Sequence, residues 1–175
     1  FLPFPSDLPA FAGTTDGTLN FTAPLNAAPF LLTGPSLNTL DGFSTTAPIT
    51  TAFSDAIAPS TLSGSTVVMI EMYLSNTNKG PATTPADLPP GVTSPVRRVL
   101  TFGTDYTAEV LNAADSGGKI LKITPLRPLA PSSGAINSGY IVLLTDGIRD
   151  FGLRQAQPSG DYATVKNAPA NCSGI

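Results

Sequence analysis

Histidine and tryptophan are absent from the 175 residues, and cysteine occurs once, at Cys172. Without an imidazole the chain holds no Ser-His-Asp or Cys-His nucleophilic system and no histidine-rich zinc site. One cysteine leaves no internal disulfide, so stability must come from packing. Cys172 is expected either to pair with something beyond this stretch or to be a free thiol in a tail. Charge is scarce too, at 12% of residues, where an average soluble protein carries about 25%. The nine Lys and Arg residues are scattered and the net charge is −3. That argues against nucleic acid and against a polybasic membrane patch, both of which need concentrated positive charge. No apolar run approaches the roughly 20 residues of a transmembrane helix, and no charged-then-apolar signal peptide opens the chain. Because the chain starts at Phe1 rather than methionine, a removed leader or an origin inside a longer protein is expected.

What is abundant is Ser, Thr, Gly and Pro. Eighteen prolines and sixteen glycines lie between short apolar runs, where they read as turn punctuation of a secreted β-protein. Residues 1–42 read as an extended segment with turns, laid over a sheet and anchored by Phe4, Leu8, Phe11, Leu19 and Phe21. Ala47 to Phe53 reads as a short strand. Ser65 to Ser75 is the clearest strand, with Val68, Ile70, Met72 and Leu74 on a fully apolar face and Val67, Met69, Glu71 and Tyr73 on the other. Five prolines make residues 76–95 a long surface loop. Arg97 to Leu111 gives two strand pieces bent around Gly103, and the second forms a hairpin with Lys119 to Leu129. Tyr140 to Thr145 reads as a central strand buried on both faces. The only helix candidate is a short turn in "GDYATVKNAPAN", cut off by Pro169.

Chemistry-bearing candidates are few. Asp146 and Asp150 flank a glycine-bearing corner in "YIVLLTDGIRDFGL", which is open to three readings: a carboxylate pair, a cation loop completed by backbone oxygens, or a strand end. Ser116 and Lys119 match a Ser-x-x-Lys acylation spacing but lie on a Gly-Gly turn, which reads as a hairpin tip. "GFSTT", Gly42 to Thr46, lacks the second glycine of a nucleophile elbow. Neither a phosphate loop nor an EF-hand loop can be written on the chain. Asn20 and Asn171 begin glycosylation triplets. Arg97 and Arg98 could meet a partner or a lipid headgroup, or simply form a solvated strand end. No catalytic, cofactor-binding or metal-binding residue is therefore assigned, and no cofactor is expected.

Order along the chain adds a resemblance. "APITTAFSDAIAPSTLSGSTV", "KILKITPLRPLAPSSG" and "GYIVLLTDGIRDFG" resemble the bacterial Ig-like plan, with Phe53, Pro59, Thr61, Leu62, Val67, Pro125, Leu129, Tyr140, Thr145, Gly147, Asp150 and Gly152 at matching positions. With "FPSDL", "DGTLNF" and "LDGFSTTAPI" ahead of them, the chain is similar to the N-terminal domain of bacterial virulence-factor lipases. The resemblance implies an all-β, Ig-like antiparallel sandwich with an extended N-terminal segment and little helix. The implied organisation is residues 1–42 packed on the sandwich, 43–157 as the sandwich, and 158–175 as a linker toward a C-terminal α/β-hydrolase domain. That domain's serine elbow and histidine are not in these residues, so no catalytic position carries over. The implied role is non-catalytic: positioning the hydrolase, or shaping access to it. Its expected partners are that hydrolase and a lipid or envelope surface. The expected location is extracellular or on the bacterial outer surface, with a lipoprotein anchor upstream of residue 1. The alternatives are a carbohydrate- or envelope-binding module, disfavoured by the lack of tryptophan, and a spacer in an adhesin-like array. In the light of the resemblance, Asp146 and Asp150 read as two turns whose side chains bind nearby backbone donors.

Overall fold

A computed structural model describes residues 44–75, 81–111, 117–133 and 136–158. Six strands account for nearly all its regular structure: β1 (Ile49–Ala52), β2 (Val67–Leu74), β3 (Val96–Val99), β4 (Tyr106–Leu111), β5 (Ile120–Pro125) and β6 (Asn137–Leu144). They form two three-stranded antiparallel sheets, ordered β1-β5-β4 and β3-β2-β6. Among the described residues the only helical pieces are three-residue 3-10 turns at Pro59–Thr61 and Pro85–Asp87, each opened by a proline whose fixed φ suits a first helical position. The chain is thus an all-β sandwich.

The core lies between the sheets. Val67 and Met69 of β2 face Leu121 and Ile123 of β5 and Tyr106 of β4, with Ile57, Leu100 and Ile148 closing the ends. Ile49, Ala108, Val110, Tyr140 and Val142 pack around them. The β4–β5 hairpin forms as its alternation predicts, with Tyr106 opposite Pro125 and Leu111 opposite Ile120. The turn at Gly103 does more than bend one ribbon, since it carries the chain from β3 in one sheet to β4 in the other. Gly103 has a φ of 79°, a left-handed conformation that costs glycine little.

Two sequence readings change. The inner face of β2 is the mixed one, Val67, Met69 and Glu71, rather than the fully apolar one, because the buried Glu71 carboxylate finds charged partners in Arg97 and Arg98. Among the described residues the strand at Tyr140 lies at an edge of its sheet rather than at the centre. β6 pairs only with β2 among the described residues, and Leu143 is 47% exposed. Apolar residues on both faces look the same in a sequence whether or not a neighbour lies alongside.

Residues 81–95 form the expected surface excursion, fastened where the Ala82 N–H donates to the Tyr73 carbonyl at 2.9 Å. The N-terminal segment, the tail turn, Asn20, Asn171 and Cys172 lie outside the described residues.

Candidate functional site

The corner from Thr145 to Ala156 holds the two carboxylates. Gly147 is glycine because a Cβ there would lie 2.7 Å from the Thr66 methyl group. The Thr66 hydroxyl meanwhile donates to the Thr61 carbonyl at 2.8 Å and accepts from the Ser63 N–H at 2.8 Å. The Thr61 hydroxyl donates to the Ala58 carbonyl at 2.7 Å and accepts from the Arg149 N–H at 3.2 Å. Backbone bonds from Thr145 N–H to the Thr66 carbonyl (3.0 Å) and from Ala58 N–H to the Arg149 carbonyl (2.8 Å) complete the joint. Two corners distant in sequence, "PSTLSGST" and "TDGIRD", therefore interlock through two threonines and one close-packed glycine.

Asp150 closes the second half of this corner. Its Oδ1 accepts from the Arg154 N–H at 2.9 Å and its Oδ2 from Arg154 Nε at 2.6 Å. These bonds, the backbone donor first, hold its pKa below the ordinary carboxylate value of 3.8, because they favour the charged form. Leu153, between them, takes a φ of 64°. That costs a non-glycine residue about 1–2 kcal/mol, and the clamp holds it there. Phe151 and Leu153 point outward from the clamped turn and are the two most exposed large apolar side chains described. Asp146 lies exposed in the preceding turn. Among the described residues no group of three or more acidic or cysteine side chains is arranged to hold a metal ion.

The arginine pair does something the sequence does not announce. β3 carries one extra residue opposite β2: Ile70 faces Val99 and Glu71 faces Arg98, but Met72 faces Val96. This bulge brings consecutive arginines onto one carboxylate. Arg97 reaches Glu71 Oε1 at 2.7 Å and Arg98 reaches Oε2 at 2.8 Å, while Glu71 is 2% exposed. Arg98 also lies 3.6 Å from Asp105, and Arg97 stacks over the Tyr73 ring at 5.7 Å. The Glu71 hydrogen bond, foremost, raises the Arg98 pKa above its ordinary value. Both guanidinium groups are engaged by Glu71 while remaining about half exposed, so this solvated strand also neutralises a buried carboxylate. A lone glutamate inside "VVMIEMYL" was the available signal, because a charge in a core strand requires a partner.

The remaining candidates are described only in part. Lys119 sits beside Gly117 and Gly118, whose φ values are 54° and 74°, and its carbonyl accepts from the Phe53 N–H; Ser116 lies outside the described residues. The Ser44 hydroxyl accepts from the Thr46 and Ala47 N–H groups at 3.3 and 3.2 Å, a local turn rather than an elbow.

Fold and corner together define a β-sandwich module built on an interlocked joint. Its family follows from the whole sequence. The chain belongs to the bacterial virulence factor lipase N-terminal family, whose model matches residues 16–174. No curated protein and no solved structure matched the chain. Among the described residues no helix is long and apolar enough to cross a membrane.

Proposed function

We propose that this chain is the non-catalytic N-terminal module of a secreted or surface-exposed bacterial lipase or esterase. In this reading the ester chemistry belongs to an α/β-hydrolase domain following residue 175, and the sandwich positions that domain or shapes access to it. The observation that carries the reading is the family match over residues 16–174, to a domain defined by its place ahead of a lipase. The lack of histidine supports it, since a hydrolase triad needs an imidazole base. The clamped corner supports the positioning role: Phe151 and Leu153 are presented on a braced turn just before the chain leaves toward residue 158.

Two assays test this. The 175-residue chain alone should give no inhibitor-sensitive turnover of short-chain nitrophenyl esters; turnover that a serine-directed inhibitor abolishes would overturn the non-catalytic role. In the parent enzyme, Phe151→Ser with Leu153→Ser should lower activity on lipid emulsions while leaving soluble-ester turnover unchanged. Equal activity on emulsions would remove the corner from the positioning role.

A further inference from the structure

The turn that Asp150 clamps projects from two feet set in the core. Ile148 on one side and Ala156 on the other pack into the sandwich, and the Ala156 N–H donates to the Ile148 carbonyl at 2.8 Å. Beyond them Arg149 bridges Gln155, and the Asp150 N–H donates to the Arg154 carbonyl at 3.0 Å. The apex of this short ribbon is Phe151-Gly152-Leu153, with Phe151 72% and Leu153 69% exposed. A non-glycine residue held in the left-handed region, as Leu153 is at φ 64°, is the kind of local strain that persists where a turn has a task.

We propose that this apex inserts into the surface of a zwitterionic phospholipid layer, Phe151 and Leu153 entering the acyl region while Arg149 and Arg154 meet the phosphates. The proposal rests on the reading of the chain as a lipase module and gives that module its contact with lipid. Three features favour lipid over a protein partner. First, the apex satisfies polar groups of its own: the Leu153 N–H donates to the Asp150 carbonyl at 3.1 Å, and the Leu153 carbonyl accepts from Arg149 Nη1 at 3.2 Å. The Arg154 N–H is held by Asp150 in the same way. Below its headgroups a lipid layer offers no hydrogen-bond partners, so backbone that brings its own enters at least cost. Second, the two arginines stand at the base of the apex, where their stems can lie along apolar surface and their remaining N–H groups can reach phosphate oxygens. Third, the charges balance. Asp150 lies 2.6 Å and Asp55 3.9 Å from Arg154, so two aspartates offset Arg149 and Arg154, and the whole chain carries −3. Nothing in that balance draws the tip to an anionic surface.

Because the chain has no tryptophan, Phe151→Trp in the 175-residue protein places a single indole at the apex. Its emission should be that of a water-exposed indole until phosphatidylcholine vesicles are added at millimolar lipid. It should then shift to the blue and be quenched by bromine on the acyl chains, while an indole introduced by Val99→Trp, at a β3 position 59% exposed, stays unquenched. Adding Leu153→Ser to Phe151→Trp should weaken partitioning roughly tenfold, the order expected when one leucine no longer leaves water. Asp150→Ala keeps the apolar apex but releases the clamp, and should weaken partitioning roughly threefold because the turn must then be ordered on binding. Replacing about a third of the phosphatidylcholine with phosphatidylglycerol should change partitioning by less than about twofold; a larger gain would overturn the zwitterionic assignment. Absence of quenching would overturn the proposal, as would equal quenching of the Val99→Trp indole, the mark of non-specific adsorption. So would blue emission before any lipid is present, which in the 175-residue chain would mean that the chain covers its own apex and in the parent enzyme alone would mark the hydrolase domain as the occupant. Should Phe151→Trp fail to melt cooperatively, Leu153→Trp is read by the same criteria, with Phe151→Ser as its weakening change. None of these outcomes alters the ester assay on the isolated chain, so the non-catalytic reading stands or falls separately.

Discussion

Glu71 shows how one residue fixes the meaning of its neighbours. A nearly inaccessible carboxylate is costly unless charged partners satisfy it, and the two arginines supply both oxygens with donors. Because the arginines are half-exposed, removing one costs less than the roughly 3–5 kcal/mol of breaking a fully buried pair. Arg98→Ala should therefore destabilise the chain by about 1–2 kcal/mol, mainly by leaving Glu71 under-satisfied. In a Glu71→Met background the same change should cost less than about 0.5 kcal/mol, since no buried charge remains to be orphaned. Urea unfolding of the four proteins measures the difference; equal costs in both backgrounds would mean that Arg98 acts through its own packing alone.

At the scale of elements, strand existence was legible and strand neighbourhood was not. The alternation of Tyr106 to Leu111 and the polar turn after it specified the β4–β5 hairpin. "YIVLLT" gave no hint that its strand has one neighbour, β2, among the described residues, because periodicity reports side-chain faces and says nothing about lateral pairing. The β3 bulge was equally hidden: alternation would send Arg97 and Arg98 to opposite faces, and only the register shift brings both to Glu71. The corner was readable through resemblance, and its geometry supplies the reason. Thr61, Thr145, Gly147 and Asp150 each make a contact within one joint, so a change in one is felt by the others. Gly147→Ala drives a methyl group into Thr66 and should cost about 1–3 kcal/mol, the usual penalty of overpacking. Thr66→Ser in the same chain should recover part of the loss by removing the opposing methyl. Thermal melts of the single and double variants decide this, and absence of recovery would place the strain elsewhere in the turn.

For the molecule as a whole, the question is what locks two small sheets into one sandwich. Tyr106 begins β4 in one sheet, yet its hydroxyl donates to the Val67 carbonyl at the start of β2 in the other, at 2.6 Å and fully buried. Its ring meets Phe102 edge to face at 5.6 Å, so a polar bond and an aromatic contact act at the same crossing. Burial, the leading cause, raises the Tyr106 pKa above its ordinary 10.0. An ionised phenolate there would be desolvated and could no longer donate. The unfolded chain loses the proton near the ordinary value while the folded chain resists, so the stabilisation is intact below pH 10 and is lost as pH rises through the folded value. Tyr106→Phe should cost about 1–2 kcal/mol at neutral pH, because the Val67 carbonyl is left without its buried donor. It should also flatten the fall in stability above pH 10. The fall does not vanish, because burial raises the Tyr140 pKa as well. Urea midpoints measured from neutral to strongly alkaline pH separate the two contributions: a variant that is destabilised at neutral pH but keeps the full alkaline slope would show that Tyr106 ties the sheets by packing and not through its hydroxyl.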